Sequence, residues 1–187
     1  MSEEQLIAAA KRNDVEAFNG LVITYQDMAY NLAYRILGDP DAAADATQDA
    51  FISAFRAVRK FRGGSFKAWL LRIVTNACYD QLRRKKRHPT VSLESFYAIP
   101  GHEEDPENYA LRQELSRVIQ AGIQTLPYDQ RIALVLSDVQ GLSYKEIAQV
   151  VGISLGTVKS RLSRARAKLR DYLLEREELL PERYRLK

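Results

Sequence analysis

LSYKEIAQVVGISLGTVKSRLSRARAKLR, residues 142–170, is the stretch whose reading decides the fold. Ser143 and Glu146 make an S-x-x-E pair, in which each side chain satisfies the other residue's orphan N–H, so a helix is expected from Tyr144. Ile147, Ala148 and Val151 would form its inner face, and Gly152 permits the tight turn that follows. Ser154 is a capping residue for a second helix, whose apolar positions Val158, Leu162, Ala165 and Leu169 recur at helical spacing. Two short helices joined by a brief turn containing glycine make a helix-turn-helix. From Lys159 to Arg170 there are six basic residues and no acidic one. A solvated basic face on an ordinary helical hairpin would tolerate that run. Together with the small-residue turn, the uncompensated charge favours a rod lying among phosphates in a DNA major groove.

Moving outward, Pro127 opens a helix carrying Ile132, Ala133, Val135, Leu136 and Val139 inside and ending at Gly141. Before it, Asp105 and Pro106 start a helix with Leu111, Leu115, Val118, Ile119, Ile123 and Leu126. Residues 89–106 differ in character, with three prolines, four acids and no Lys or Arg. This composition is that of an extended acidic linker. Beyond the helix-turn-helix a charged tail closes the chain.

The N-terminal part is also helical. Ser2 and Gln5 form a second capping box, opening a helix that ends near Lys11. Asn13 with Glu16 offers a cap for a long helix lined by Phe18, Leu21, Val22, Tyr25, Met28, Ala29, Leu32 and Ile36, and Gly38 stops it. Asp39 caps the next helix, with Pro40 in the first turn where its missing N–H costs nothing. Along that helix Asp41, Asp45 and Asp49 stack at i, i+4, i+8, with Gln48 and Ile52 beside them. Like charges so spaced destabilise a helix by roughly 0.2–0.5 kcal/mol per pair. The helix dipole accounts for acids in the first turn, but poorly for Asp49, so a basic partner surface is an equal reading. After Gly63 and Gly64, Ser65 caps SFKAWLLRIVTNACYDQLRRKKR, with Trp69, Leu70, Ile73, Val74, Ala77, Cys78 and Leu82 on its apolar side. Arg83 to Arg87 are five consecutive cations, more than a helix C-terminus calls for, and they point to a polyanion. Phe61, Phe66 and Trp69 offer faces on which unpaired bases stack, although a core role fits Trp69 taken singly.

Nothing alternates at period two, so the expected fold is all-α: two small helical domains joined by an acidic flexible linker, the C-terminal one containing the helix-turn-helix. The expected boundaries are 1–88, a linker at 89–106, 107–175, and a tail at 176–187. The formal net charge is only +4, yet residues 61–88 carry +7 and 154–170 carry +6 around a block of −5 at residues 89–110. Two basic blocks suggest two nucleic-acid contacts. The single cysteine, Cys78, excludes an internal disulfide and a cysteine-cluster zinc site. His88 and His102 lack ligand spacing, so neither a metal nor another cofactor is expected. No apolar run approaches the roughly 20 residues that span a bilayer, and the start has no signal-peptide layout, so a cytoplasmic protein is expected.

The stretch from Asp41 to Arg87 and the stretch from Thr125 to Arg170 resemble the two conserved domains of bacterial sigma factors of the small extracytoplasmic-function group. The resemblance covers about residues 10–170, in the family's order. It implies a promoter-specificity subunit with no chemistry of its own, and so no catalytic residues. It implies that Asp45, Gln48, Asp49 and Ile52 dock on core RNA polymerase. It implies that Phe61, Arg62, Ser65, Trp69, Asn76, Asp80, Arg83 and Arg84 read the minus-ten element in melted promoter DNA. Ser154, Thr157, Lys159, Ser160 and Arg161 would then meet base edges of the minus-thirty-five element, while Arg164, Arg166 and Lys168 hold phosphate. It further implies control by an anti-sigma factor, and a chain that is monomeric when free and not inserted in a membrane. The competing expectations are a stand-alone helix-turn-helix regulator with an N-terminal sensor or dimerisation domain, and, more remotely, an enzyme whose site the sequence hides.

Overall fold

The computed structural model describes residues 1–87 and 106–176, and the described residues fold into helices joined by short connections. The expected acidic linker over 89–106 lies outside the described residues except for Pro106, which already begins a helix, and His88, His102 and the tail beyond Arg176 lie outside them too. In chain order the helices are α1 (Glu3–Ala10), α2 (Val15–Leu37), α3 (Pro40–Ala57), α4 (Phe66–Arg87), α5 (Pro106–Thr125), α6 (Tyr128–Leu134), α7 (Tyr144–Val151) and α8 (Leu155–Leu174). A 3₁₀ turn at Val58–Lys60 ends α3, and one π-helical turn at Val135–Val139 continues α6.

The caps fall almost where the local chemistry puts them. Both capping boxes form, Ser2 with Gln5 and Ser143 with Glu146. Asp39 accepts from Ala42 N and Ser65 from Ala68 N. One cap moves by a residue: Asp14, not Asn13, accepts from Ala17 N, and Asn13 instead takes a left-handed φ of 70°. Asn tolerates that conformation better than most residues, and its turn frees Asp14 for the cap.

The first half packs α2 against α3 and α4. The inner face of α3 is Ala43, Ala46, Ala50 and Ala54, all at 0% exposure. Such small residues bring helix axes to the near end of the usual 8–10 Å spacing. Phe18 meets Phe55 edge-on at 5.0 Å between ring centroids where α2 crosses α3. In the second half Ile132, Leu136, Ile147, Val158, Leu162 and Ala165 are buried among α6, α7 and α8. Val139, expected inside, is 47% exposed. The π turn adds a residue to the repeat and shifts Val139 off the inner face.

The two halves are in contact. The C-terminal carbonyls of α2, left without helical partners, accept from the second half: Gln124 Nε2 donates to Arg35 O at 2.9 Å and Arg131 Nη1 to Ile36 O at 2.7 Å. Gly38 caps α2 at φ 72°, and a Cβ there would stand 2.6 Å from Gln124 Cδ. Gly38→Ala should therefore lower stability by about 1–3 kcal/mol, from left-handed strain and displacement of Gln124. A urea melt followed by circular dichroism measures this; an unchanged midpoint would mean that α2 does not end as described.

Candidate nucleic-acid interface

The acidic stripe is built by the alanine face of α3. Burying Ala43, Ala46, Ala50 and Ala54 turns Asp41, Asp45, Gln48, Asp49 and Ile52 outward, and all five are exposed. Asp49 stands 3.7 Å from Arg84, both side chains being more than half exposed. Such a pair contributes little, typically about 0–1 kcal/mol. Ile52 is 44% exposed, an apolar spot beside the carboxylates. A cleft of 450 Å³ between α3 and α4 is lined by Asp49, Ile52, Arg56, Ile73, Asn76, Asp80 and Arg84. Residues expected to touch polymerase and residues expected to touch DNA thus share one cleft, which spacing along the chain does not show.

The loop before α4 is anchored by aromatic packing. Phe61 is 7% exposed, with its ring 5.3 Å from Trp69 and 5.6 Å from Phe66. Its ring is spent on the floor of the loop, so base stacking by Phe61 does not fit this structure. Trp69 is half-buried. Arg62 and Ser65 are exposed at the two ends of the Gly63–Gly64 turn, although Ser65 Oγ is engaged as the cap of α4. Asn76 and Asp80 sit one turn apart on the open face of α4, with Asp80 3.8 Å from Arg83.

Four cations missed in the sequence surround this loop. α1 packs against the 3₁₀ turn, and Lys11 Nζ lies 5.4 Å over the Phe61 ring. Arg12, Arg59 and Lys60 are exposed beside it, with no carboxylate within ion-pair distance among the described residues. Their signal was masked because residues 1–60 sum to a net negative charge; only the fold separates these cations from the acids of α3.

In the helix-turn-helix, Gly152 takes φ 73° between α7 and α8. Ser154 caps α8 by accepting from Thr157 N at 3.1 Å, and the two hydroxyls lie 2.8 Å apart. Ser160 Oγ donates to Thr157 O. Lys159, Arg164 and Lys168 are exposed and make no ion pair among the described residues. Arg161 Nε is 3.1 Å from Asp129 on α6, leaving its side chain 22% exposed.

Arg166 departs from the phosphate role. Its Nη2 donates to Asp138 Oδ1 at 2.6 Å and its Nε to Asp138 Oδ2 at 3.0 Å. It also donates to Tyr144 OH and Ser137 Oγ. The fork thus ties α8 to the π turn and to α7, a clasp that spends its charge. The hydrogen bonds from Arg166 hold the Asp138 carboxyl below its ordinary range, and those same bonds push the Arg166 guanidinium up.

Cys78 is fully buried, and burial pushes its thiol up to about 12, so it is a packing residue and not a nucleophile. Among the described residues no group of three or more His, Cys, Asp or Glu is placed to hold a metal ion, and no helix is long and apolar enough to cross a membrane.

Comparison with known proteins matches the two halves separately. The sigma-70 region 2 family covers residues 21–88 and the sigma-70 region 4 family covers residues 116–169. The chain is 39% identical over 173 residues to the RNA polymerase sigma-H factor of Pseudomonas aeruginosa, covering 88% of this chain and 90% of that one. It is 37% identical over 175 residues to the extracytoplasmic-function RNA polymerase sigma-E factor of Escherichia coli, covering 89% and 91%. Against the sigma factor SigE of Mycolicibacterium smegmatis it is 41% identical over 158 residues, which is 84% of this chain and 62% of that protein's length. Among solved structures, CnrH bound to the cytosolic domain of CnrY matches with TM-score 0.67 and 31% identity, covering 91% of this chain and 96% of that one. The sigma factor RpoE of Bartonella quintana, bound to the anti-sigma factor NepR, matches with TM-score 0.68 and 28% identity, covering 83% and 96%. A region 2 domain followed by a region 4 helix-turn-helix defines a sigma-70-type transcription initiation factor, not an enzyme. The chain belongs to the extracytoplasmic-function group of RNA polymerase sigma factors.

The Arg166 clasp gives a pH-dependent prediction. Because the folded-state value of Asp138 is depressed, its contribution is present above the unfolded value near about 3.9 and is lost as pH falls through the lower folded value. Arg166→Ala should cost about 1 kcal/mol at neutral pH, the pair being partly exposed, and should flatten the fall in stability below about pH 4. Urea midpoints across pH for both proteins measure it. Parallel curves would mean that the pair is not formed in solution.

Proposed function

We propose that this sigma factor binds core polymerase through Asp45, Gln48, Asp49 and Ile52 on α3. It reads the minus-ten element with Arg62, Trp69, Asn76 and Asp80, aided by Arg83 and Arg84. It reads the minus-thirty-five element with the N-terminal half of α8. The observation that carries this reading is the surface itself: the α3 acids face outward beside exposed Ile52, while α8 exposes Lys159, Arg164 and Lys168. Phosphate holding passes to Arg164 and Lys168, since Arg166 is engaged with Asp138. The region 2 match over residues 21–88 removes the need for a separate sensor domain, and with it the case for a stand-alone regulator. The structural relative captured with the anti-sigma factor NepR supports control by such an inhibitor here, acting on a monomer in the cytoplasm.

Gel filtration with core RNA polymerase tests the reading. One-to-one co-elution is expected, and separate elution at low salt, where charge-driven contacts are strongest, would end it. Asp49→Lys should weaken that complex without changing helix content. Unchanged binding would return the stripe to a helix-dipole role.

Base reading has its own test. Arg161→Ala should lose about 1–3 kcal/mol at one base position of the upstream element. Lys168→Ala should weaken all duplexes alike. Uniform loss from both substitutions would show that α8 lies differently in the groove.

A further inference from the structure

We propose that Gly156 is a positioning residue for promoter reading. By carrying no side chain on the exposed face of α8, it lets the first turn of that helix seat closely against the upstream-element duplex and sets how deep α8 lies in the groove. The proposal rests on the reading of α8 given above and deepens it.

Gly20, Gly122 and Gly156 lie inside α2, α5 and α8. A glycine inside a helix weakens folding, because alanine at the same place has less backbone freedom to lose. The first two have a reason within the chain. A Cβ on Gly20 would stand 3.0 Å from Leu6 Cδ2, where α1 meets α2. One on Gly122 would stand 2.7 Å from Leu169 Cδ1 and 2.8 Å from Tyr172 Cδ1, where α5 meets α8. Gly156 has no such reason. A Cβ there would meet only Ser154 Oγ at 3.8 Å, an ordinary contact, and its backbone does not take the left-handed φ that favours glycine. The chain holds a destabilising residue for which its own packing has no use.

The surroundings of Gly156 point to what fills the open place. Gly156 is exposed, and Ser160, one turn on, is exposed on the same side of the helix. Ser154 and Thr157 flank it with hydroxyls 2.8 Å apart, and Lys159 is exposed beside Ser160. Leu155 is 39% exposed, an apolar surface of the kind a thymine methyl group contacts. No Asp or Glu occurs from Ser154 to Arg170. The face therefore combines short hydroxyls with long cations, and the two differ in reach. A long cation follows a phosphate by changing rotamer, whereas a Ser or Thr hydroxyl meets a base edge only when the backbone itself comes close.

Groove dimensions leave little slack. A helix with its side chains is about 10–12 Å across, and the major groove is about 12 Å wide. A Cβ would extend the surface of α8 by roughly 1.5 Å. Hydrogen bonds to oxygen span a range of only about 0.5 Å. A withdrawal of α8 by the length of one added bond would break the short contacts and leave the long cationic ones in place.

The test compares full-length Gly156→Ala and Gly156→Leu with the parent chain. Urea melts of the free chains report stability. Fluorescence anisotropy of each chain with core polymerase reports binding to two duplexes: a promoter recovered by selection with the parent holoenzyme, and the same promoter with its upstream element scrambled. Gly156→Ala should raise the urea midpoint, since alanine favours the helix and has room there. It should nevertheless weaken binding to the selected promoter by about tenfold to a hundredfold, the worth of one good base contact. Gly156→Leu should weaken it further, and binding to the scrambled duplex should change little. A more stable chain that binds its promoter less well is an outcome a purely structural role does not give. Equal promoter binding by Gly156→Ala and parent would overturn the proposal and leave the reading of α8 intact. A lowered midpoint would give the glycine a folding role and overturn it too, as would equal losses on both duplexes. A parent holoenzyme that selects no promoter would end the proposed function and this proposal together.

Discussion

The end of a long helix is the constraint from which much else follows. α2 runs for 23 residues and is the element against which α1, α3 and α4 pack. Its last carbonyls cannot be satisfied from within, and Gly38 turns the chain away so sharply that only one of them, Tyr34 O, gains a local donor. Two more, Arg35 O and Ile36 O, are reached by long side chains of the second half, Gln124 and Arg131. A backbone requirement in one domain is thus met by side chains of the other. This adds to a hydrophobic core whose buried residues run on from one half into the other.

Charge is arranged by the same logic of spent and unspent groups. Arg131 is spent on carbonyls and Arg166 on Asp138. What remains exposed is ordered by sign: acids along α3, cations around the loop before α4, and cations along α8. The small net charge says little about partners, because each surface carries a strong local field. The π turn takes part in this arrangement. By adding a residue after α6 it exposes Val139 and places Ser137 and Asp138 within reach of Arg166. The relative positions of α7 and α8 depend on that grip.

Much of the fold was legible because the signals were local. Ser2 with Gln5, Asp39 with Pro40, and Ser143 with Glu146 act over three or four residues, and a capping bond needs nothing from elsewhere. Helical period located the cores for the same reason. The site was less legible wherever a side chain had a distant alternative. Nothing near Phe61 announces that Trp69 and Phe66 enclose it, and nothing near Arg166 announces Asp138, 28 residues away. The cations just after α1 and in the 3₁₀ turn escaped notice because charge summed along the chain cancels what space separates. The contact between the halves escaped for a further reason. Its hydrogen bonds are made by Gln, Arg and Lys, residues that read as solvent-facing in any pattern based on hydrophobicity.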